Sequence, residues 1–95
     1  MTLSDQKIEY LDKKSFNGNE ILKRIYLENN LINEINDFVF FNLFSLNMLQ
    51  LSHNQISSIS RLSFFNLTNL EELDLSYNRL DSIKIENNFL KDLNS

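Results

Sequence analysis

The sequence predicts an α/β solenoid, an arc of stacked repeats that contributes one short parallel strand each. Three observations carry this. The blocks Leu22–Leu27, Leu46–Leu51 and Leu70–Leu75 begin 24 residues apart. Asn30, Asn54 and Asn78 follow them at one fixed phase, and Phe16, Phe40 and Phe64 share a second phase. Self-similarity at a fixed period of this length is how a repeat array shows itself before any helix or strand is assigned.

Each block reads L-x-x-L-x-L, as in Leu22-Lys23-Arg24-Ile25-Tyr26-Leu27. Its fourth and sixth positions alternate with a polar one, the period of a strand with one buried face. Strands are therefore expected to centre on Tyr26, Gln50 and Asp74 and to lie side by side. Asn30, Asn54 and Asn78 turn the chain out of each strand. An amide side chain both donates and accepts, so a stacked Asn ladder would satisfy the backbone groups freed at the bend. Aliphatics follow at Ile32, Ile56 and Leu80 and again at Ile35, Ile59 and Ile83. Phe16, Phe40 and Phe64 then read as an aromatic spine inside the solenoid. Phe38, Phe41, Phe44 and Phe65 are out of that phase and read as variable packing near the outer surface.

The whole of 1–95 reads as one domain, with repeats at approximately 22–45, 46–69 and 70–95. A partial repeat over 1–21 precedes them, with Leu3, Ile8, Leu11 and Phe16 in phase, Gln6 in place of the Asn and Asn19 in place of the last Leu. After Ile83 the pattern slips, with Asn88 where Phe is expected and Lys91 where Leu is expected. Phe89, Leu90 and Leu93 would restore packing in a slightly longer repeat. End repeats of a solenoid need polar caps, and none is visible, so the expectation is a piece of a longer array.

Composition removes most chemistry. The chain carries 13 acidic and 9 basic residues, a net charge of -4, which disfavours non-specific nucleic-acid binding. There is no Cys, one His, one Gly and no Pro. That excludes disulfides, thiolate or multi-histidine metal sites and the glycine-rich phosphate loops. The densest apolar stretch, Phe38–Phe41, stops at Asn42 and is far short of the ~20 residues that cross a bilayer. Neither direct membrane insertion nor a cofactor is expected. The first residues lack the basic start and apolar run of a secretory signal.

The motif these residues make, L-x-x-L-x-L-x-x-N-x-L with an added Phe and Leu, resembles the 24-residue class of the leucine-rich repeat family. It is similar to segments of Toll-type receptor ectodomains and adhesion proteins. The resemblance implies a right-handed arc with irregular or short-helical outer segments. It also implies a non-catalytic module that binds a protein partner on its concave strand face, at the cell surface or in a secreted chain. The residues exposed on that face would be Arg24, Tyr26, Glu28 and Asn29, then Met48, Gln50, Ser52 and His53, then Glu72, Asp74, Ser76 and Tyr77. Thr2, Ser4 and Asp5 would continue them. Extracellular members usually carry Cys-rich caps, and this chain has no Cys. A cytoplasmic adaptor, and a gene remnant without autonomous function, therefore stay as alternatives.

His53 beside Ser52 offers no nucleophile–base pair, since neighbours on a strand point to opposite faces. Glu71-Glu72-x-Asp74 lacks the spacing and turn glycine of a calcium loop. Asn66-Leu67-Thr68 is an N-glycosylation sequon. With 15 Asn and 13 Ser plus Thr, random order would give about two such triplets, so one is no enrichment. Lys23 and Arg24 at one end, against Glu71, Glu72 and Asp74 at the other, give the face a charge gradient.

Overall fold

The structure, a computed structural model, describes residues 1–79. Expectations that fall on Leu80, Ile83, Asn88, Phe89, Leu90, Lys91 and Leu93 lie outside the described residues. The elements are β1 (Arg24–Tyr26), β2 (Glu34–Ile35), β3 (Met48–Gln50), β4 (Ser58–Ile59) and β5 (Glu72–Asp74). Strands β1, β3 and β5 form one parallel sheet in that order. Its register advances by one whole repeat per strand. Ile25 pairs with Leu49 and Leu49 with Leu73, while Tyr26 pairs with Gln50 and Gln50 with Asp74. Constant repeat length fits this register, in which a one-residue slip would turn the inward residues outward.

The first residues join the same sheet. Thr2 bridges to Tyr26 in parallel. The Leu3 N–H donates to the Tyr26 carbonyl at 2.8 Å, and the Tyr26 N–H donates to the Met1 carbonyl at 3.0 Å. A second sheet, β2 with β4, pairs Glu34 with Ser58 and Ile35 with Ile59. The repeat pattern had not assigned this sheet, since two residues per strand are too few to show alternation.

Ile25, Leu27, Leu49 and Leu51 from the first sheet and Ile35 and Ile59 from the second belong to one buried cluster, with Leu43, Leu46, Ile56 and Leu67. The core therefore runs continuously between the sheets rather than around one centre. Phe16, Phe40 and Phe64 are buried within it and stack in sequence. Their ring centroids are 5.6 Å apart for Phe16–Phe40 and 5.7 Å for Phe40–Phe64.

Between the sheets the chain runs in turns, and the described residues contain no helix. Backbone bonds three residues apart recur with the repeat: Leu43 to Phe40 and Leu67 to Phe64, then Leu46 to Leu43 and Leu70 to Leu67. They do not propagate into a helix because the chain enters positive φ at Gly18 (82°), Asn42 (69°) and Asn66 (64°), again one repeat apart. These residue types reach the left-handed region at least cost. The outer segments are thus of the irregular kind.

Candidate functional site

The outward face of the three-stranded sheet is built from alternate strand residues and the turn that follows. The turn is fixed by side chains. The Asn54 Nδ2 donates to the Leu27 and Leu51 carbonyls at 3.0 and 3.1 Å, and its Oδ1 accepts from the Ile32 N–H at 3.1 Å. Asn78 does the same one repeat on, donating to Leu51 and Leu75 and accepting from the Ile56 N–H. Asn30 donates to Leu3 and Leu27 and accepts from the N–H groups of Gln6 and Ile8. Each amide ties its own turn to the preceding repeat.

On the face itself, neighbours one repeat apart form polar rungs. The Ser4 hydroxyl donates to Glu28 Oε1 at 2.5 Å, and the Gln50 Nε2 donates to Asp74 Oδ2 at 3.2 Å. Asp74 Oδ1 also accepts from the Ser76 hydroxyl at 2.6 Å and from its N–H at 2.9 Å. The Ser76 hydroxyl and N–H, then Gln50, hold the Asp74 carboxyl below its ordinary value, with a smaller contribution from His53. A carboxyl so shifted stabilises the fold above its unfolded-state pKa, and that share is lost as pH falls through the lower folded-state value. Asp74→Asn is therefore expected to flatten the acid limb of the stability–pH curve, with no change in slope above pH ~6. Urea midpoints measured across pH for both forms check this.

Arg24, Met48 and Glu72 form one row, in register across β1, β3 and β5. Two strand spacings of ~4.8 Å separate Arg24 from Glu72. Tyr26, Gln50 and Asp74 form the next row, all half-buried. Glu28 is half-buried in the turn beyond. Ser52 departs from expectation. It is only 6% exposed, and its N–H donates to Gln50 Oε1 at 2.9 Å.

The edge of the face is a column one repeat apart: Asp5, Asn29, His53 and Tyr77. All four take positive φ, between 55° and 59°. Asp, Asn and His tolerate this region, whereas a residue as bulky as Tyr there is an outlier. His53 and Tyr77 are nonetheless exposed, Tyr77 by 74%, and their rings stack at 4.3 Å with planes 8° apart. Sequence reasoning listed both residues as exposed on the concave face but did not pair them. The signal was there, since a constant register makes residues one period apart spatial neighbours.

Asn66 and Thr68 are exposed and Leu67 between them is buried. No cluster of three or more His, Cys, Asp or Glu side chains able to hold a metal occurs among the described residues. No helix among them is long and apolar enough to cross a membrane.

A parallel stack of strands in constant register, bound by an Asn column and an aromatic spine, defines the class: a repeat solenoid. The Leucine rich repeat family profile matches residues 1–56, 20–80 and 45–95, and the chain belongs to that family. Among solved structures, the chain is similar to one described as the crystal structure of a TLR13–ssRNA13 complex, at 34% identity and a TM-score of 0.84. That likeness covers 96% of this chain and 12% of the other, so the chain spans about an eighth of that molecule's length. No curated protein matches the chain.

Proposed function

We propose that this chain is a protein-recognition segment of a cell-surface or secreted receptor-type protein, binding its partner on the strand face without chemistry. The contact residues are Arg24, Tyr26, Glu28, Met48, Gln50, His53, Glu72, Asp74 and Tyr77. One observation carries the reading. Tyr77 holds a strained backbone conformation while its ring, stacked on His53, stays in solvent. Earlier positions of the same column use Asp5, Asn29 and His53, for which the conformation costs little. Strain retained at an exposed aromatic residue points to a binding position.

The partner is protein rather than nucleic acid on electrostatic grounds. Asp5, Glu28, Glu72 and Asp74 outnumber Arg24 on this face, which repels a phosphate backbone. The related structure that holds ssRNA13 favours the other reading, so the test separates them. A photoreactive phenylalanine in place of Tyr77 in the full natural protein is expected to crosslink to a protein partner. The same probe at Glu34, on the second sheet, should not. Combining Tyr26→Ala, Gln50→Ala and Asp74→Ala should remove the crosslink. Crosslinks to RNA, equal yields from both probes, or a triple variant without effect would each overturn the reading.

The same strain gives a second expected outcome. Tyr77→Asn relieves the backbone cost and should raise stability by a few tenths to ~1 kcal/mol while weakening partner binding. Calorimetric melting and partner binding of the two forms, measured together, check it; a loss of both stability and binding would make Tyr77 a structural residue. Asn66 is proposed to carry an N-linked glycan when the chain passes through a secretory compartment. Treating such protein with a glycosidase should lower the mass at Asn66, and an unchanged mass removes the proposal.

A further inference from the structure

On the turn side, away from the strand face, Lys13, Lys14, Asn17, Phe38, Phe41 and Asn42 line an open groove of about 470 Å³. Its apolar wall belongs to an aromatic cluster separate from the buried spine. The Phe38 ring meets Phe41 edge-on at 5.8 Å and Phe65 edge-on at 5.9 Å. Phe41 and Phe65 are 42% and 45% exposed. Phe38 also holds a φ of 61°, whereas Lys14 and Leu62, one repeat to either side, do not enter positive φ. The backbone at this one repeat is thus held in an unfavourable conformation with its ring at the groove.

The polar rim makes no side-chain bonds to the other described residues. Among the described residues no hydrogen-bond or ion-pair partner faces the ammonium of Lys13 or Lys14, or the side-chain amide of Asn17 or Asn42. No acidic residue lines the groove. In a chain of net charge -4 this sets two cations beside exposed aromatic rings, with Asp12, which accepts from the Lys14 N–H at 2.8 Å, and Asp37 flanking the groove but not lining it. The two amides add donors and acceptors, the groups that match a peptide main chain.

We propose that this groove docks a short acidic peptide segment of a protein partner. One aromatic or aliphatic side chain of that segment lies on the Phe38–Phe41 wall, and its carboxylates meet Lys13 and Lys14. Charge complementarity selects an anionic occupant. The recess and the free amides favour a peptide over an anionic lipid surface, which carries no main chain to pair with Asn17 and Asn42 and needs no recess. This second surface is independent of the strand-face reading.

The test is amide NMR of the 95-residue chain with the blocked peptide Ac-Glu-Asp-Phe-Asp-Glu-NH2 as probe, titrated to about 2 mM. Shifts are expected at the amides of residues 13–17 and 38–42 and not on the three-stranded sheet. Lys13→Glu with Lys14→Glu, both at exposed positions, should weaken binding at least about fivefold and leave the remaining spectrum in place. Phe41→Ala, also exposed, should weaken it without unfolding the chain. Raising ionic strength from about 0.05 to 0.5 M should weaken it as well. No shifts, shifts elsewhere, or equal shifts with Ac-Lys-Lys-Phe-Lys-Lys-NH2 would overturn the proposal. So would shifts at these amides with phosphatidylglycerol vesicles and none with the peptide, which would assign the groove to a membrane surface.

Discussion

Asn54→Ala is expected to lower the stability of the chain by about 3–4 kcal/mol, a large share of what a small domain possesses. The reason lies in which groups lose everything. The Leu27 carbonyl also accepts from Asn30, and the Leu51 carbonyl also accepts from Asn78. Both keep one donor in the variant. The Ile32 N–H is buried and has Asn54 Oδ1 as its acceptor, so it is left with nothing. An orphaned buried donor costs ~1–3 kcal/mol, and the lost second bonds and the vacated volume add to it. Asn78→Ala should cost less, because its bonds lie nearer solvent and water can replace them. Asn54→Asp separates acceptor from donor. It keeps a partner for Ile32 but turns an oxygen on two carbonyls, so its carboxyl is favoured neutral in the fold. Its stability should therefore recover as pH falls, the opposite of the Asp74 dependence. Urea unfolding of the four forms across pH checks the set. Equal losses for Asn54→Ala and Asn78→Ala would mean that burial does not set the cost.

The same logic shows how far the sequence was legible. Positions that recur every repeat are assigned to depth by recurrence alone. Ile25, Leu49, Phe40 and Phe64 could be placed in the core because each has counterparts in phase. What recurrence cannot show is a column filled by different chemistry. Val39 and Ser63 stand one repeat apart and are both buried, yet the template could not group them. Val39 fills the position with apolar volume, while the Ser63 hydroxyl donates to the Ile35 carbonyl at 2.9 Å. Ser52 escaped for a related reason. Its counterpart Ser76, one repeat on, makes the same kind of turn bond and is exposed, so the phase alone does not give the depth. On the strand face the rows were readable from the period. The backbone strain at Tyr77 was not, because its counterparts in the column are residues that tolerate positive φ. The out-of-phase phenylalanines were readable as exceptions, but only the fold brings Phe38, Phe41 and Phe65 into one cluster and sets Lys13 and Lys14 beside it.

Phe40→Ala should be the other severe change, at about 3–5 kcal/mol for the cavity, with the lost ring pairs contributing to it. Phe40 is fully buried and stacks on Phe16 on one side, planes 26° apart, and on Phe64 on the other, planes 8° apart. In a solenoid each repeat contacts only its neighbours, so stability is close to a sum of repeat terms and interface terms. Removing the middle ring therefore weakens two interfaces, whereas Phe16→Ala leaves the Phe40–Phe64 pair intact and should cost less. Phe40→Leu keeps apolar depth without the stacking and should fall between wild type and Phe40→Ala. Phe41→Ala, next in sequence but 42% exposed, should cost no more than ~1 kcal/mol. The ordering Phe40 over Phe16 over Phe41, read from urea midpoints at one temperature, is the test. If Phe40→Ala and Phe41→Ala cost the same, the stacked rings are not what couples one repeat to the next. The coupling would then rest on the Asn column and the strand ladder alone.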